Sequence, residues 1–244
     1  MQTSEIAQQN FDRYIHQNQY PGRGLVIGRS AGDDAWVIVY WIMGRSANSQ
    51  NRQFVADGVM MRTEPLDVQS VANPELIIYE AIQEFSNVHL VGNGKQVQAL
   101  YEGLQASSTF DDVLANWERE PDPPINTPRI SGILDVQTTP ASVTLSILKA
   151  NVANPDLTDR FTYRPAAPPP GIGMGLTTYQ ADGNPPLSFA GEPPLLPCAG
   201  DAQTILSTYW DALNEAFRVS LAVKWIPDQG KSSQILIKNR FENA

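Results

Sequence analysis

Cysteine and histidine are both scarce in this chain of 244 residues. The single cysteine, Cys198, excludes an intrachain disulfide framework and a zinc cluster built from cysteines. The two histidines, His16 and His89, leave little material for a histidine-based metal site or a Ser-His-Asp triad. Neither histidine has a recognisable partner motif nearby, so we predict structural or solvated roles for both and an inert role for Cys198.

Positive charge and long apolar runs are lacking as well. The 17 Lys and Arg residues against 26 Asp and Glu residues give a net charge of -9, which argues against a protein that grips the nucleic-acid backbone. A mononucleotide stays compatible, because one phosphate needs only a few local arginines. No apolar run approaches the ~20 residues that span a bilayer, and the N-terminus shows no secretory signal, so we predict a cytoplasmic protein without membrane contact.

Hydrophobic periodicity predicts an α+β protein with antiparallel sheets and helices packed outside them. Helices are predicted over residues 4–17, 95–105, 109–119 and 201–217. Strands are predicted over 25–28, 36–42, 54–62, 75–82, 88–91, 130–136, 142–149, 219–225 and 234–238, the last two paired across a turn at 228–230. Strand fragments with ordered loops are predicted over 161–164, 171–179 and 185–197. This order disfavours a βαβ nucleotide-binding arrangement.

Phosphate-loop motifs are missing too. The run Gly171-Ile172-Gly173-Met174-Gly175 follows three prolines and precedes a β-rich segment, so we interpret it as a turn or a close backbone approach. The polar segment 40–52 is more informative, because its arginines, serines and asparagines directly follow an apolar strand. Arginine binds phosphate bidentately, and Ser and Asn orient hydroxyl groups, so the segment suits a sugar phosphate. A solvated surface loop is the alternative interpretation.

Read in chain order, several segments resemble the archaeal-type IMP cyclohydrolase family. The four main segments are Tyr20-Pro21-Gly22-Arg23-Gly24, Gly44-Arg45-Ser46 with Asn51-Arg52, Asn73-Pro74 through Tyr79, and Asn126-Thr127-Pro128-Arg129-Ile130. Val91-Gly92-Asn93-Gly94 and Thr177-Thr178-Tyr179 also resemble the family. The resemblance covers roughly residues 20–179.

The resemblance implies a fold and a reaction. The expected fold is a four-layer α/β/β/α sandwich of antiparallel sheets, similar to N-terminal-nucleophile hydrolases. The expected reaction closes the purine ring of 5-formamidoimidazole-4-carboxamide ribonucleotide to give IMP and water. Because the step is intramolecular, positioning contributes much of the rate, and we expect neither a metal nor an organic cofactor.

The resemblance also implies site residues. Arg45 is expected near the reacting carboxamide or formyl oxygen, Tyr79 as a hydroxyl donor and Glu118 as the catalytic carboxylate, with Glu120 as the rival carboxylate. The residues expected to bind the substrate are Arg23, Arg52 and Arg129 at the phosphate, together with Ser46, Asn48, Asn93 and Asn126. Other roles stay open: Tyr79 as a structural tyrosine, one arginine in a structural salt bridge, and asparagines in turns.

We expect a single domain over residues 1–244, with an N-terminal helical extension at 1–19 and a C-terminal part of weaker resemblance at 185–244. Additions of this kind cap a pocket, mediate homo-oligomer formation or change the substrate. Two alternative functions stay open. One is an amidohydrolase of the same fold, which would need a processed N-terminus at Thr3 or Ser4. The other is a purine-nucleotide-binding protein without turnover.

Overall fold

The computed structural model describes residues 2–71, 73–228 and 232–241. Within these residues the helices are α1 Thr3–Phe11, α2 Ala47–Gln50, α3 Pro74–Ile77, α4 Gln96–Gln105, α5 Phe110–Ala115 and α6 Ala202–Ala212. A π-helical turn, Asp12–His16, continues α1. The strands are β1 Gly24–Arg29, β2 Ala35–Met43, β3 Gln53–Asp57, β4 Met60–Glu64, β5 Glu80–Phe85, β6 Val88–Gly92, β7 Arg129–Asp135, β8 Ser142–Ala150, β9 Thr158–Tyr163, β10 Ile172–Thr177, β11 Leu195–Pro197, β12 Arg218–Pro227 and β13 Gln234–Asn239.

The strands form two antiparallel sheets, which confirms the predicted α+β class. The six-stranded sheet has the order β11-β10-β1-β2-β12-β13, and the seven-stranded sheet has the order β3-β4-β5-β6-β7-β8-β9. Neighbouring strands pair antiparallel in both sheets. Strand β12 pairs with β2 as well as with β13, so the chain after residue 185 is integral to the six-stranded sheet.

Strand alternation explains where the apolar cores lie. In β2, Ile38, Tyr40 and Ile42 pack in a core that joins residues of both sheets. Val37, Val39 and Trp41 point to the opposite face and pack with α1 and α6. All nine residues of β2 are buried, because both faces of the strand are covered. A third core joins the seven-stranded sheet to α4 and α5.

Several predicted boundaries were wrong. The strand predicted at 75–82 is the helix α3 followed, after two residues, by β5, because Pro74 at the first helical position favours a helix start. The extended segment predicted at 54–62 is the β3–β4 hairpin, which turns at Gly58 with a φ of 60°. Helices α5 and α6 end earlier than predicted. The predicted turn at 228–230 lies outside the described residues except for Asp228.

Candidate functional site

Hydrogen bonds join two of the segments that carry the family resemblance, residues 20–24 and 177–179. Gly22 has a φ of +75°, and a Cβ there would lie 2.2 Å from Thr178 Oγ1, so this turn requires glycine. The Arg23 amide donates to Thr178 Oγ1 (3.1 Å), and the Thr178 amide donates to the Arg23 carbonyl (2.9 Å). The Tyr179 amide donates to the Pro21 carbonyl (3.2 Å). These bonds fix the position from which the Arg23 side chain extends.

The 126–130 motif joins the same end of the strands. The Asp122 carboxylate accepts from the Thr127 amide (2.7 Å) and from Thr127 Oγ1 (2.6 Å), which fixes the turn before β7. Because the Thr127 hydroxyl proton goes to Asp122, the Tyr179 hydroxyl donates to Thr127 Oγ1, at 2.8 Å. The Glu120 amide donates to the Thr127 carbonyl (2.9 Å). This turn therefore places Glu120 beside the residues that hold Arg23.

The 91–94 motif supports Arg129. Asn93 is fully buried, donates to the Pro128 carbonyl (2.9 Å) and accepts from the Ile130 amide (2.6 Å). A Cβ on Gly94 would lie 2.3 Å from Arg129 Nη1, so the glycine makes room for the guanidinium. Arg129 Nε donates to the Glu118 carbonyl (2.9 Å), and the guanidinium carbon lies 5.2 Å from the Trp117 ring centroid.

Three arginines and one glutamate form a buried cluster at this end, which we call the arginine cluster: Arg23, Arg52, Arg129 and Glu120. Arg23 Nη1 lies 3.2 Å from Glu120 Oε2, and the two side chains are 12% and 2% exposed. Arg52 Nη2 donates to the Met43 carbonyl at 3.1 Å. Within the cluster, three guanidinium groups face one carboxylate, so positive charge is in excess.

The electrostatics of the arginine cluster reflect that excess. Burial lowers the pKa of Arg52, and the neighbouring Arg23 lowers it further. Burial raises the pKa of Glu120, while Arg23 and Arg129 offset part of the increase. Arg23 Nε, Arg52 Nε and Glu120 Oε1 are buried without a hydrogen-bond partner among the described residues. Unsatisfied buried groups of this kind are costly, and they are expected where a ligand completes the site.

Two tyrosine hydroxyls meet beside the arginine cluster. Tyr40 on β2 and Tyr79 just before β5 have their hydroxyl oxygens 2.8 Å apart, and both side chains are buried. The Tyr79 backbone is held by Thr63, whose amide donates to the Tyr79 carbonyl (3.0 Å) and whose Oγ1 accepts from the Tyr79 amide (3.0 Å). Burial raises the pKa of Tyr40 well above its ordinary value. Tyr40 therefore offers a neutral hydroxyl rather than a phenolate.

A cavity of about 220 Å³ opens beside Arg23 and Arg52. Arg45 lies in its wall, where its Nη1 donates to Asp182 Oδ1 and to the Gly183 carbonyl, both at 2.6 Å. The Arg45 guanidinium carbon also lies 4.7 Å from the centroid of the Tyr20 ring. At 29% exposure, the Arg45 side chain is more accessible than that of Arg23. Three arginines, Arg23, Arg45 and Arg52, thus line the cavity together with one carboxylate, Asp122.

The predicted site residues divide into those that reach this region and those that do not. Arg23, Arg45, Ser46 and Arg52 line the cavity. Arg129 and Tyr79 do not line it, but Arg129 lowers the pKa of Glu120 and Tyr79 raises that of Arg23. Ser46 caps α2, with its Oγ accepting from the Ser49 amide at 3.1 Å, and Asn48 lies within that helix. Asn93 and Asn126 are backbone supports, Asn126 adopting a left-handed φ of 49°.

The two candidate carboxylates differ sharply. The Glu118 side chain is 66% exposed, with its carboxylate 3.8 Å from Arg119, whereas Glu120 is buried against Arg23. The geometry thus favours Glu120. Sequence reasoning missed Tyr40, Asp122 and Thr127 as site residues. The sequence gives no signal for Tyr40, because this residue occupies a core-facing position of β2 among apolar neighbours. Asp122 and Thr127 lie in the proline-rich segment that leads into Arg129, so that segment was the available signal.

Other predicted features lie elsewhere. Thr3 and Ser4 are exposed in the first turn of α1, and residues 172–175 enter β10. Burial raises the pKa of the Cys198 thiol to about 12, so this thiol stays protonated. Among the described residues, no group of three or more His, Cys, Asp or Glu side chains could hold a metal ion. No helix in the described part of the chain is long and apolar enough to cross a membrane.

Comparison with known proteins identifies one matching family. The model of the family described as IMP cyclohydrolase-like protein matches residues 20–230. The match begins where the resembling motifs begin and extends beyond residue 179, through α6 and β12. No curated protein sequence matches the chain.

Proposed function

The chain belongs to the IMP cyclohydrolase-like protein family, and from this membership we propose that it is a cyclohydrolase that closes a purine ring. The proposed substrate is 5-formamidoimidazole-4-carboxamide ribonucleotide, and the products are IMP and water. In this reaction the carboxamide nitrogen bonds to the formyl carbon. That nitrogen and the formamido nitrogen each lose one proton, and the formyl oxygen leaves as water.

One observation carries the proposal: the arginine cluster leaves buried cationic donors unpaired beside a cavity. Arg52 has its pKa lowered by burial and by Arg23, so an anion bound nearby would relieve an existing repulsion. The unpaired Nε atoms of Arg23 and Arg52 supply donors, and Glu120 Oε1 supplies an acceptor. A ribonucleotide that must be held by its phosphate and by polar groups on its base requires this combination.

The proposed chemistry needs a base and donors for a developing oxyanion. Glu120 is the proposed base, because it is the buried carboxylate of the cluster and burial shifts its pKa upwards, towards neutral pH. Arg23, ion-paired with Glu120, and the Tyr79 hydroxyl are the proposed donors to the formyl oxygen as it gains negative charge. Positioning of the two reacting groups in one ligand supplies much of the remaining rate.

We propose that Arg45 binds the phosphate. The resemblance assigned Arg45 to the reacting oxygen and Arg23 to the phosphate, but Arg45 is the accessible guanidinium at the rim and Arg23 the buried one beside Glu120. The cavity of about 220 Å³ is smaller than the ~300–1,000 Å³ usual for small-molecule sites. A ribonucleotide would therefore place its base inside and its phosphate at the rim, where Arg45 exchanges Asp182 for the ligand.

We also propose that the α+β fold is the four-layer α/β/β/α sandwich of the N-terminal-nucleophile-hydrolase-like type. Three apolar cores support this arrangement: one shared by the two sheets, one under α1 and α6, and one under α4 and α5. The proposed reaction uses no cofactor.

An ultraviolet assay of ring closure with the formamido ribonucleotide tests the function. We expect the wild type to form IMP and Arg23→Gln to lose at least roughly 100-fold in kcat, as removal of a transition-state donor does. Arg164→Gln is the matched control, because Arg164 pairs with Asp111 on the exposed surface. No turnover by the wild type would overturn the proposal for this substrate. Calorimetry with IMP would then identify a nucleotide-binding protein, if IMP binds, or a different substrate, if it does not.

A further inference from the structure

A second, larger cavity of about 740 Å³ lies at the other end of the strands. Strand β1 starts next to Arg23 and ends at Arg29, which lines this second cavity. Strand β5 likewise starts after Tyr79 and carries Glu84, another lining residue, near its end. At about 3.3 Å per residue, strands of this length separate the two cavities by roughly 20 Å. The second cavity is therefore distinct from the cavity beside the arginine cluster.

Glu84 in its wall forms an ion pair with a lysine buried behind it. Lys224 Nζ lies 2.6 Å from Glu84 Oε2 and donates to the Val59 carbonyl at 2.7 Å, with a side chain that is 0% exposed. Ser233 Oγ donates to the same Glu84 oxygen at 2.7 Å. Although burial alone would raise the pKa of Glu84, His89, Lys224 and Ser233 together lower it to about 2. Glu84 is thus ionised throughout the neutral range. His89, Lys224 and Ser233 all contact its Oε2 atom rather than Oε1.

The arginine in the wall has four of its five N–H donors occupied. Arg29 donates from Nε to Asp33 Oδ1 (2.7 Å) and from Nη2 to the Asp33 carbonyl (2.6 Å). It also forms a bidentate pair with Asp228, at 2.8 and 2.7 Å. Among the described residues that line the cavity, one cation, Arg29, faces two carboxylates, those of Glu84 and Asp228. The charge excess at this cavity is negative, opposite to that of the arginine cluster.

His89 supplies an independent indication of a ligand. Its side chain lines the cavity and is 2% exposed. Nδ1 faces Glu84 Oε2 at 3.3 Å, whereas Nε2 is buried with no hydrogen-bond partner among the described residues. A buried polar atom without a hydrogen bond is costly, so such atoms point to a partner from outside the chain.

We propose that the second cavity binds a small organic cation, a primary amine on a short carbon chain. Its ammonium group donates to Glu84 Oε1 and to His89 Nε2. Val136, Pro140 and Ile226 in the wall contact its carbon atoms. Anions are disfavoured because Arg29, the cation in the described wall, is already paired with Asp33 and Asp228. This site goes beyond the proposed ring closure and does not depend on it.

The presence of only two histidines makes the proposal directly testable by NMR. The probe is 1,4-diaminobutane, added to the full chain while the imidazole carbon-bound proton resonances are followed. We expect saturable shifts for His89 and none for His16, which is exposed in the π-helical turn. Butane-1,4-diol, the neutral analogue, and inorganic phosphate are expected to leave His89 unchanged. Equal shifts of both histidines, or an equal response to the diol, would overturn the proposal.

Two variants and one control complete the test. Glu84→Gln is expected to weaken diamine binding roughly tenfold or more, the loss of a charge-assisted hydrogen bond. Glu75→Gln removes an exposed carboxylate that pairs with Lys95 and is expected to bind as the wild type does. Should Glu84→Gln fail to fold, Thr138→Arg adds a positive charge at an exposed wall position and is expected to weaken binding similarly. Unchanged affinity in the folded variants would refute the site.

Discussion

The Arg23 guanidinium lies 3.2 Å from the Glu120 carboxylate, and both side chains are almost completely buried. A buried ion pair adds little to stability, because the free-energy cost of desolvating the two charges offsets most of their attraction. This pair also leaves Arg23 Nε and Glu120 Oε1 without partners among the described residues. Its arrangement is costly for folding and useful for ligand binding, which fits a residue pair kept for function rather than for stability.

Replacement of the buried carboxylate distinguishes the two glutamates. Glu120→Gln keeps the shape and removes the proposed base, so we expect kcat to fall by about 10²–10⁴-fold. Glu118→Gln is the matched control, because its side chain is 66% exposed, and we expect wild-type kinetics. Steady-state rates of ring closure measure both effects. Impairment of Glu118→Gln with normal Glu120→Gln would reinstate the role that the resemblance implies for Glu118.

The pH dependence of kcat/KM follows from the same carboxyl group. Burial raises the pKa of Glu120, and a base must be ionised to act, so activity falls as the pH drops through that raised pKa. We expect the acid limb of kcat/KM to lie above the ordinary glutamate pKa of about 4.3. The residual activity of Glu120→Gln should lack this limb. An acid limb at the same pH in both proteins would assign it to another group.

The tyrosine pair permits a double-variant test. Tyr79→Phe removes the proposed donor, and we expect a loss of roughly 100-fold in kcat with little change in KM. It also leaves the buried Tyr40 hydroxyl unpaired, at a cost of about 1–3 kcal/mol in the free energy of unfolding. Adding Tyr40→Phe should recover most of that stability without recovering activity. Parallel recovery of both would mean that Tyr79 acts through packing alone.

Much of the fold could be predicted because its signals are local. The apolar run of β2, the alternation in β12, the cap residue Thr109 and the apolar face of α6 all indicate their elements directly. The segment around Tyr79 could not be predicted, because its apolar residues favour a strand while Pro74 favours a helix start. Only the pairing of β5 with β4 and β6 decides where the strand begins.

The site was predictable as a set of motifs but not as a geometry. Sequence order identified the arginines, yet it could not tell that Arg45 lies at the rim and Arg23 beside Glu120. The side-chain directions of Glu118 and Glu120 depend on the turn that Asp122 fixes, a feature of backbone conformation rather than of residue type. Tyr40 could not be predicted as a site residue, since a tyrosine in a central strand cannot be told from an ordinary core residue by sequence.

The rim ion pair predicts a change in substrate affinity. Asp182 competes with an incoming phosphate for Arg45 Nη1, so Asp182→Asn should lower KM about 2- to 5-fold, the range for a partly exposed ion pair, with kcat unchanged. The effect should shrink at high salt because the pair is screened. Asp111→Asn, which releases the exposed Arg164, is the matched control. A higher KM in Asp182→Asn would show that Asp182 orients Arg45 instead.

Acid stability depends on the buried pair at the other end of the strands. Burial opposes ionisation of Glu84, but His89, Lys224 and Ser233 lower its pKa to about 2. Its ionised form therefore contributes fully above the ordinary pKa of about 4.3, and the contribution disappears as the pH falls towards 2. Urea unfolding at pH 6 and pH 3 measures the change in the free energy of unfolding. We expect this free energy to fall by about 2 kcal/mol more in the wild type than in Glu84→Gln/Lys224→Met, which removes both charges. Identical losses would mean that Glu84 titrates normally in the folded protein.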